Sequence, residues 1–115
     1  MQSPTNQRIF RLQSEICKIL ANPRRLEILH ELREGEMTVG QLAYATGVRQ
    51  ANVSQHLALM RHGNIVIERR DGNRVLYRIA DKRINKACDI MREVLLHQVG
   101  EGSRLVHLAS VSSRS

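Results

Sequence analysis

Two clusters of side chains in this chain are of the types that meet nucleic acid. Gln50, Asn52, Ser54, Gln55 and His56 fall close together. Gln and Asn amides can pair bidentately with an adenine edge, and a Ser hydroxyl can meet several bases. Arg69, Arg70 and Arg74 stand around the triplet Asp71-Gly72-Asn73, and Arg49 and Arg61 flank the first cluster. Guanidinium groups grip phosphate and reach into a minor groove. Each cluster also has an ordinary reading. The first could be a solvated polar face, the second the charged edge that keeps a hairpin soluble. The distribution of charge separates the readings. Residues 49–78 hold six Arg against Glu68 and Asp71, a local balance of +4, while residues 24–36 hold three Arg against four Glu. The chain's net charge of +7 therefore gathers where the candidate contacts are, which favours a polyanion over an evenly basic coat.

The elements that must position these residues can be read from capping and periodicity. Thr38-Val39-Gly40-Gln41 fits a capping box, and Gly47 is a left-handed stop, so a short helix is expected over 38–46. A second helix is expected from Gln50, with Val53, Leu57 and Met60 inward at i, i+4 and i+7, ended by Gly63-Asn64. A hairpin follows over 65–78, with Ile65 and Ile67 on one face and Val75, Tyr77 and Ile79 on one face of the return strand. Asp71, Gly72 and Asn73 supply turn residues able to take positive φ. Two short helices followed by a charged hairpin is the layout of a winged helix-turn-helix. One helix braces, the second enters a major groove and the hairpin reaches the backbone beside it.

Outside this region, Ile9, Leu12, Ile16, Ile19 and Leu20 form a helical stripe over 7–20. Asn22-Pro23 caps and starts the next helix, which carries Leu26, Ile28, Leu29 and Leu32 and ends before Gly35. Asp81 can cap a last helix reaching about Val99, with Ile84, Ala87, Cys88, Met91 and Leu95 as its stripe and Ile90 and Val94 broadening it. The fold class is mainly α with a small β-hairpin wing, built on five helices. Residues 1–8 read as a flexible tail, 9–99 as one domain, and 100–115 as a C-terminal tail with a short apolar segment from Leu105 to Val111.

Several classes are disfavoured. No apolar run approaches the roughly 20 residues that cross a bilayer, and the N-terminus lacks a signal's apolar core, so a cytoplasmic protein without a membrane partner is expected. Two cysteines make no disulfide framework. With no Trp, one Phe and two Tyr, the chain is poor in stacking platforms for single strands or RNA. No phosphate loop, nucleophile-base set or acid pair suggests an enzyme, and no cofactor is expected.

The run Leu20-Ala21-Asn22-Pro23-Arg24-Arg25-Leu26-Glu27-Ile28-Leu29, the segment Val53-Ser54-Gln55-His56-Leu57 and the hairpin from Arg69 to Ile79 resemble the ArsR/SmtB family of bacterial and archaeal winged-helix repressors. The resemblance spans about residues 9–99. It implies a homodimer joined through the first and last helices, and a repressor released from its operator by an inducer. The wide apolar stripes on those two helices agree, because a chain this short has little else to cover them with. Arg49 departs from the capping Ser of many relatives.

The family's metal sites map poorly onto this chain. Two Cys at the start of the third helix correspond to Thr38 and Gly40, and the set on the last helix corresponds to Asp81, Arg83, Val94 and His97. Gly, Val and a charged Arg do not ligate, so no metal is expected, and Asp81 reads as a helix cap. No two of the five His are spaced i, i+4. Cys17 and Cys88 remain. If their helices pair in the dimer, the thiols could form a redox, sulfur-species or metalloid sensor. The ordinary reading is two small buried hydrophobes, and the sulfide-responsive branch has its first Cys where this chain has His30.

The leading expectation is a sequence-specific regulator of double-stranded DNA on a pseudo-palindromic operator. The alternatives are a non-inducible architectural DNA binder and a winged-helix protein-interaction module. An architectural binder would show weak sequence preference, an interaction module none.

Overall fold

The computed structural model describes residues 3–101. Helix α1 spans Pro4–Leu20, α2 Pro23–Leu32, α3 Val39–Thr46 and α4 Gln50–His62; strands β1 (Val66–Asp71) and β2 (Arg74–Ile79) form the hairpin, and α5 spans Lys82–Glu101. The chain divides after Asn85 into two compact units, the second carrying the rest of α5.

Local chemistry sets most boundaries. The Asn22 side chain accepts from the amides of Arg24 and Arg25, with Pro23 at the first helical position of α2. Thr38 and Gln41 form the complete capping box of α3, which ends at Gly47 in the left-handed region at φ 73°. Asp81 accepts from the Arg83 amide at 2.9 Å and caps α5. Helix α1 starts earlier than expected. Ser3 accepts from the Asn6 amide at 3.2 Å and Pro4 takes the first position, so residues 4–8 are helical and not a frayed tail. The apolar segment and tail expected beyond residue 101 lie outside the described residues.

The core of the first unit collects Ile28, Leu29 and Leu32 from α2, Leu42 from α3, and Val53, Leu57 and Met60 from α4. Val48, Ile65, Val66 and Ile79 close it. Removing these side chains from water supplies about 1.5–3 kcal/mol each. The inward set of α4 is the one its spacing predicts. Leu26 of α2 departs from expectation, standing exposed.

The hairpin is antiparallel, with Val66 opposite Ile79, Glu68 opposite Tyr77, Arg70 opposite Val75 and Asp71 opposite Arg74. Its phase differs from the expected one. Ile65 precedes the strand and is buried, Val66 supplies the core-facing position, and Ile67 turns outward. Two consecutive buried residues arise because the chain enters the strand directly from the end of α4: the Ile65 amide donates to the Met60 carbonyl at 2.8 Å. At the tip only Gly72 takes positive φ, at 62°. Met37 bridges the free edge of β2, exchanging both backbone hydrogen bonds with Tyr77 at 3.0 and 2.9 Å. Because Thr38 caps α3, this bridge fixes the hairpin to the start of the brace helix.

Candidate nucleic-acid interface

At 3.6 residues per turn, burying Val53, Leu57 and Met60 turns the opposite face of α4 outward. Gln50, Asn52, Ser54 and Gln55 are all exposed. Gln55 points most directly away from the core. Gln50 leans back over the brace helix, where a Cβ added at Gly40 would lie 3.6 Å from its Nε2. Arg49 precedes the helix as N-cap and makes no side-chain cap. The departure at this position therefore leaves the first amides of α4 without a side-chain partner from residue 49 and adds an exposed cation beside them.

His56, expected to face DNA or solvent, is half-buried and engaged on one side by the protein. Its Nδ1 accepts from Arg25 Nε at 3.2 Å, and Arg25 also donates to the Ile19 carbonyl at 3.0 Å. One guanidinium thus joins the end of α1, helix α2 and the middle of α4. The position was readable from spacing: His56 is three residues after Val53 and four before Met60, on the flank of the buried stripe. Burial, and next the Arg25 charge, hold its pKa below the usual histidine value. The ring is neutral, with Nδ1 as acceptor and the proton on Nε2.

The register sorts the hairpin arginines onto two faces. Arg70 shares a face with Glu68, Val75 and Tyr77, continuing the core side; Arg69 and Arg74 share the other with Ile67, Leu76 and Arg78. Arg70 is exposed and, like Arg49, has no carboxylate partner among the described residues. Arg74 reaches its neighbour Asp71 at 3.3 Å at the tip. Two expected phosphate contacts are occupied within the protein. Arg61, in the last turn of α4, donates to Glu68 at 2.6 Å. Arg69 grips Glu36 bidentately, Nε to Oε2 at 2.9 Å and Nη2 to Oε1 at 2.8 Å. The hydrogen bond and charge of Arg69, with Arg78 close by, hold the Glu36 carboxyl below its usual pKa range despite some desolvation. Sequence reading did not pick out Arg25, Glu36 and Glu68, whose partners lie elsewhere in the chain.

Two of the positions corresponding to the family's metal sites, Thr38 and Asp81, serve as caps. Thr38 caps α3. The Asp81 side chain is engaged by both the guanidinium and the backbone amide of Arg83, and its pKa is lowered to about 2. Among the described residues no group of three His, Cys, Asp or Glu could hold a metal ion. Cys17 is exposed on α1, not a buried hydrophobe, and Cys88 is half-buried. Burial and the neighbouring Asp89 push the Cys88 thiol up, which disfavours its reactive thiolate. Among the described residues no helix is long and apolar enough to cross a membrane.

Known proteins share this arrangement. The model for "Bacterial regulatory protein, arsR family" matches residues 22–68. The helix-turn-helix transcriptional regulator Rv0081 of Mycobacterium tuberculosis is 38% identical over 88 residues, 76% of this chain and 77% of that one. The transcriptional repressor SmtB of the same organism is 37% identical over 82 residues, 71% of this chain and 61% of its own. The solution structure of a homodimeric winged helix-turn-helix DNA-binding domain, Mb0332 from Mycobacterium bovis, superposes with a TM-score of 0.79 at 32% identity, covering 88% of this chain and 94% of that one. A capped brace helix, an outward polar face on the next helix and a cationic hairpin, joined to these likenesses, place the chain in the ArsR family of winged helix-turn-helix transcriptional regulators.

Proposed function

We propose that the protein is a homodimeric repressor acting in the cytoplasm on a pseudo-palindromic operator in double-stranded DNA. Helix α4 reads base edges in the major groove with Asn52, Ser54 and Gln55, and Gln50 contributes from the helix start. Arg49, Arg70 and Arg74 hold the phosphate backbone. The observation that carries this reading is the division of α4, whose buried residues are apolar and whose exposed face presents the amides of Gln50, Asn52 and Gln55 and the hydroxyl of Ser54 beside the small Ala51 and Ala58. Dimerisation is supported by apolar surface on helices of both units. Ile9, Phe10 and Leu12 of α1 stand half-exposed, as do Ile90, Met91, Val94, Leu95 and Leu96 of α5. Exposed apolar surface on each of these helices is of the kind that marks an interface, and the Mycobacterium bovis neighbour is a homodimer.

Release by an inducer belongs to the same reading. Cys17 and Cys88 are the chain's only thiols, and a thiol-reactive or redox signal is the class of inducer assigned to them. Titrating an oxidant into the DNA complex tests this: dissociation that persists when both cysteines are serine rules the thiols out. The operator itself is found by selecting genomic fragments on the protein and footprinting the survivors. Two symmetric protected half-sites about one helical turn apart, or a multiple, are expected. Fragments retained without shared sequence would favour the architectural reading, and none retained by a folded dimer would favour an interaction module.

A further inference from the structure

We infer that Glu36 is a positioning residue for DNA binding: it holds Arg69 as a strut inside the wing and so keeps that arginine off the phosphates. The inference rests on the wing gripping DNA, as proposed above, and changes which arginines do so. Glu36 lies in the loop before α3, next to Met37, whose backbone is bonded to β2. Its carboxylate passes the edge strand and engages Arg69 on β1 in a fork-to-fork pair, the strongest geometry available to these two groups. The two attachments, one backbone and one side chain, come from adjacent residues and hold both strands of the hairpin. On the opposite face Glu68 takes Arg61 from the end of α4, so the hairpin is tied on one side to the loop that opens the brace helix and on the other to the reading helix. A phosphate that took Arg69 would strip Glu36 of its partner and leave a bare carboxylate beside the polyanion. Arg70 needs no such exchange.

The test uses the full-length dimer, a fluorescent operator duplex and four variants: Glu36→Gln, Arg69→Ala, the swap Glu36→Arg with Arg69→Glu, and Arg70→Ala as reference. Arg70→Ala is expected to flatten the salt dependence of log K by about 1.8, one contact of about 0.9 from each protomer. Glu36→Gln and Arg69→Ala are expected to weaken operator binding by a similar factor, about three- to tenfold, with the salt slope unchanged. The swap should recover most of that loss. If Glu36→Gln strengthens binding, or Arg69→Ala flattens the slope as Arg70→Ala does, Arg69 is a phosphate contact and the inference is wrong.

Hydrogen exchange of the Met37 and Tyr77 amides in the free dimer provides a reading without DNA. Faster exchange in both single variants, slowed again in the swap, supports the strut. Unchanged exchange in all of them overturns it. An unchanged slope in Arg70→Ala alongside altered exchange would instead refute the wing's contact with phosphate while leaving the strut in place.

Discussion

His56 offers a test in which protonation and contact can be separated. Its Nδ1 accepts from Arg25, and its folded pKa lies below the ordinary value of 6.5. A group with a depressed folded pKa is fully stabilising above its unfolded pKa, and that stability is lost as pH falls through the folded value. Protonation below about pH 6.5 removes the acceptor and sets a cation against Arg25. His56→Asn keeps an acceptor near the Nδ1 position and cannot titrate. The hydrogen bond is worth about 1 kcal/mol. Linkage also caps the effect near 1.4 kcal/mol for the single pH unit between about 6.5 and about 5.5. Going from about pH 7.5 to about pH 5.5, the wild type should lose more stability than the variant, within that cap of about 1.4 kcal/mol. In thermal melts at fixed dimer concentration each 1 kcal/mol of that difference is roughly 4–8 °C. The other histidines are common to both proteins and cancel in the difference. Parallel pH profiles would refute the Arg25–His56 assignment. An operator preference in His56→Asn that collapses at neutral pH, with stability intact, would return His56 to the set of base readers.

Three further outcomes follow from the geometry. Replacing Ser54 and Gln55 together with Ala should lower operator affinity more than affinity for a scrambled duplex, by about 1–3 kcal/mol per lost base contact in competition binding; equal losses would remove them from base reading. Thr38→Ala breaks the capping box and should cost about 1 kcal/mol in urea unfolding, with an unchanged midpoint counting against the cap. Cys17, exposed, should react with a maleimide well before Cys88, whose thiol is half-buried with a raised pKa; mass spectrometry of the partly labelled protein shows the order, and the reverse order would contradict the placement of the two thiols.

What the sequence disclosed divides by range. Asn22, Thr38 with Gln41, Gly47 and Asp81 act on backbone within four residues of themselves, so each helix start or stop they set was legible as a short motif. The buried stripe of α4 was legible because helical periodicity is also local. Ser3-Pro4 carries the same kind of signal as Asn22-Pro23, and the early start of α1 follows from it. The arginine roles were not legible. Glu36 and Arg69 are 33 residues apart and Arg25 and His56 are 31 apart. Charge counting places the six arginines of residues 49–78 in one patch, and only the tertiary fold shows which of them already hold a carboxylate. The phase of β1 was lost for a related reason: alternation assumes a free strand, whereas Ile65 is held by the end of α4 before the strand begins.

The most direct test of the central claim is fluorescence anisotropy of the full-length protein under reductant. It compares the DNA upstream of its own gene with a scrambled duplex of equal length, across a salt series. Tight binding to the first, much weaker binding to the second and a steep fall with salt are the result expected of a repressor that reads with α4 and grips with the wing. Equal, weak binding to both, from a dimer shown to be folded, would contradict it.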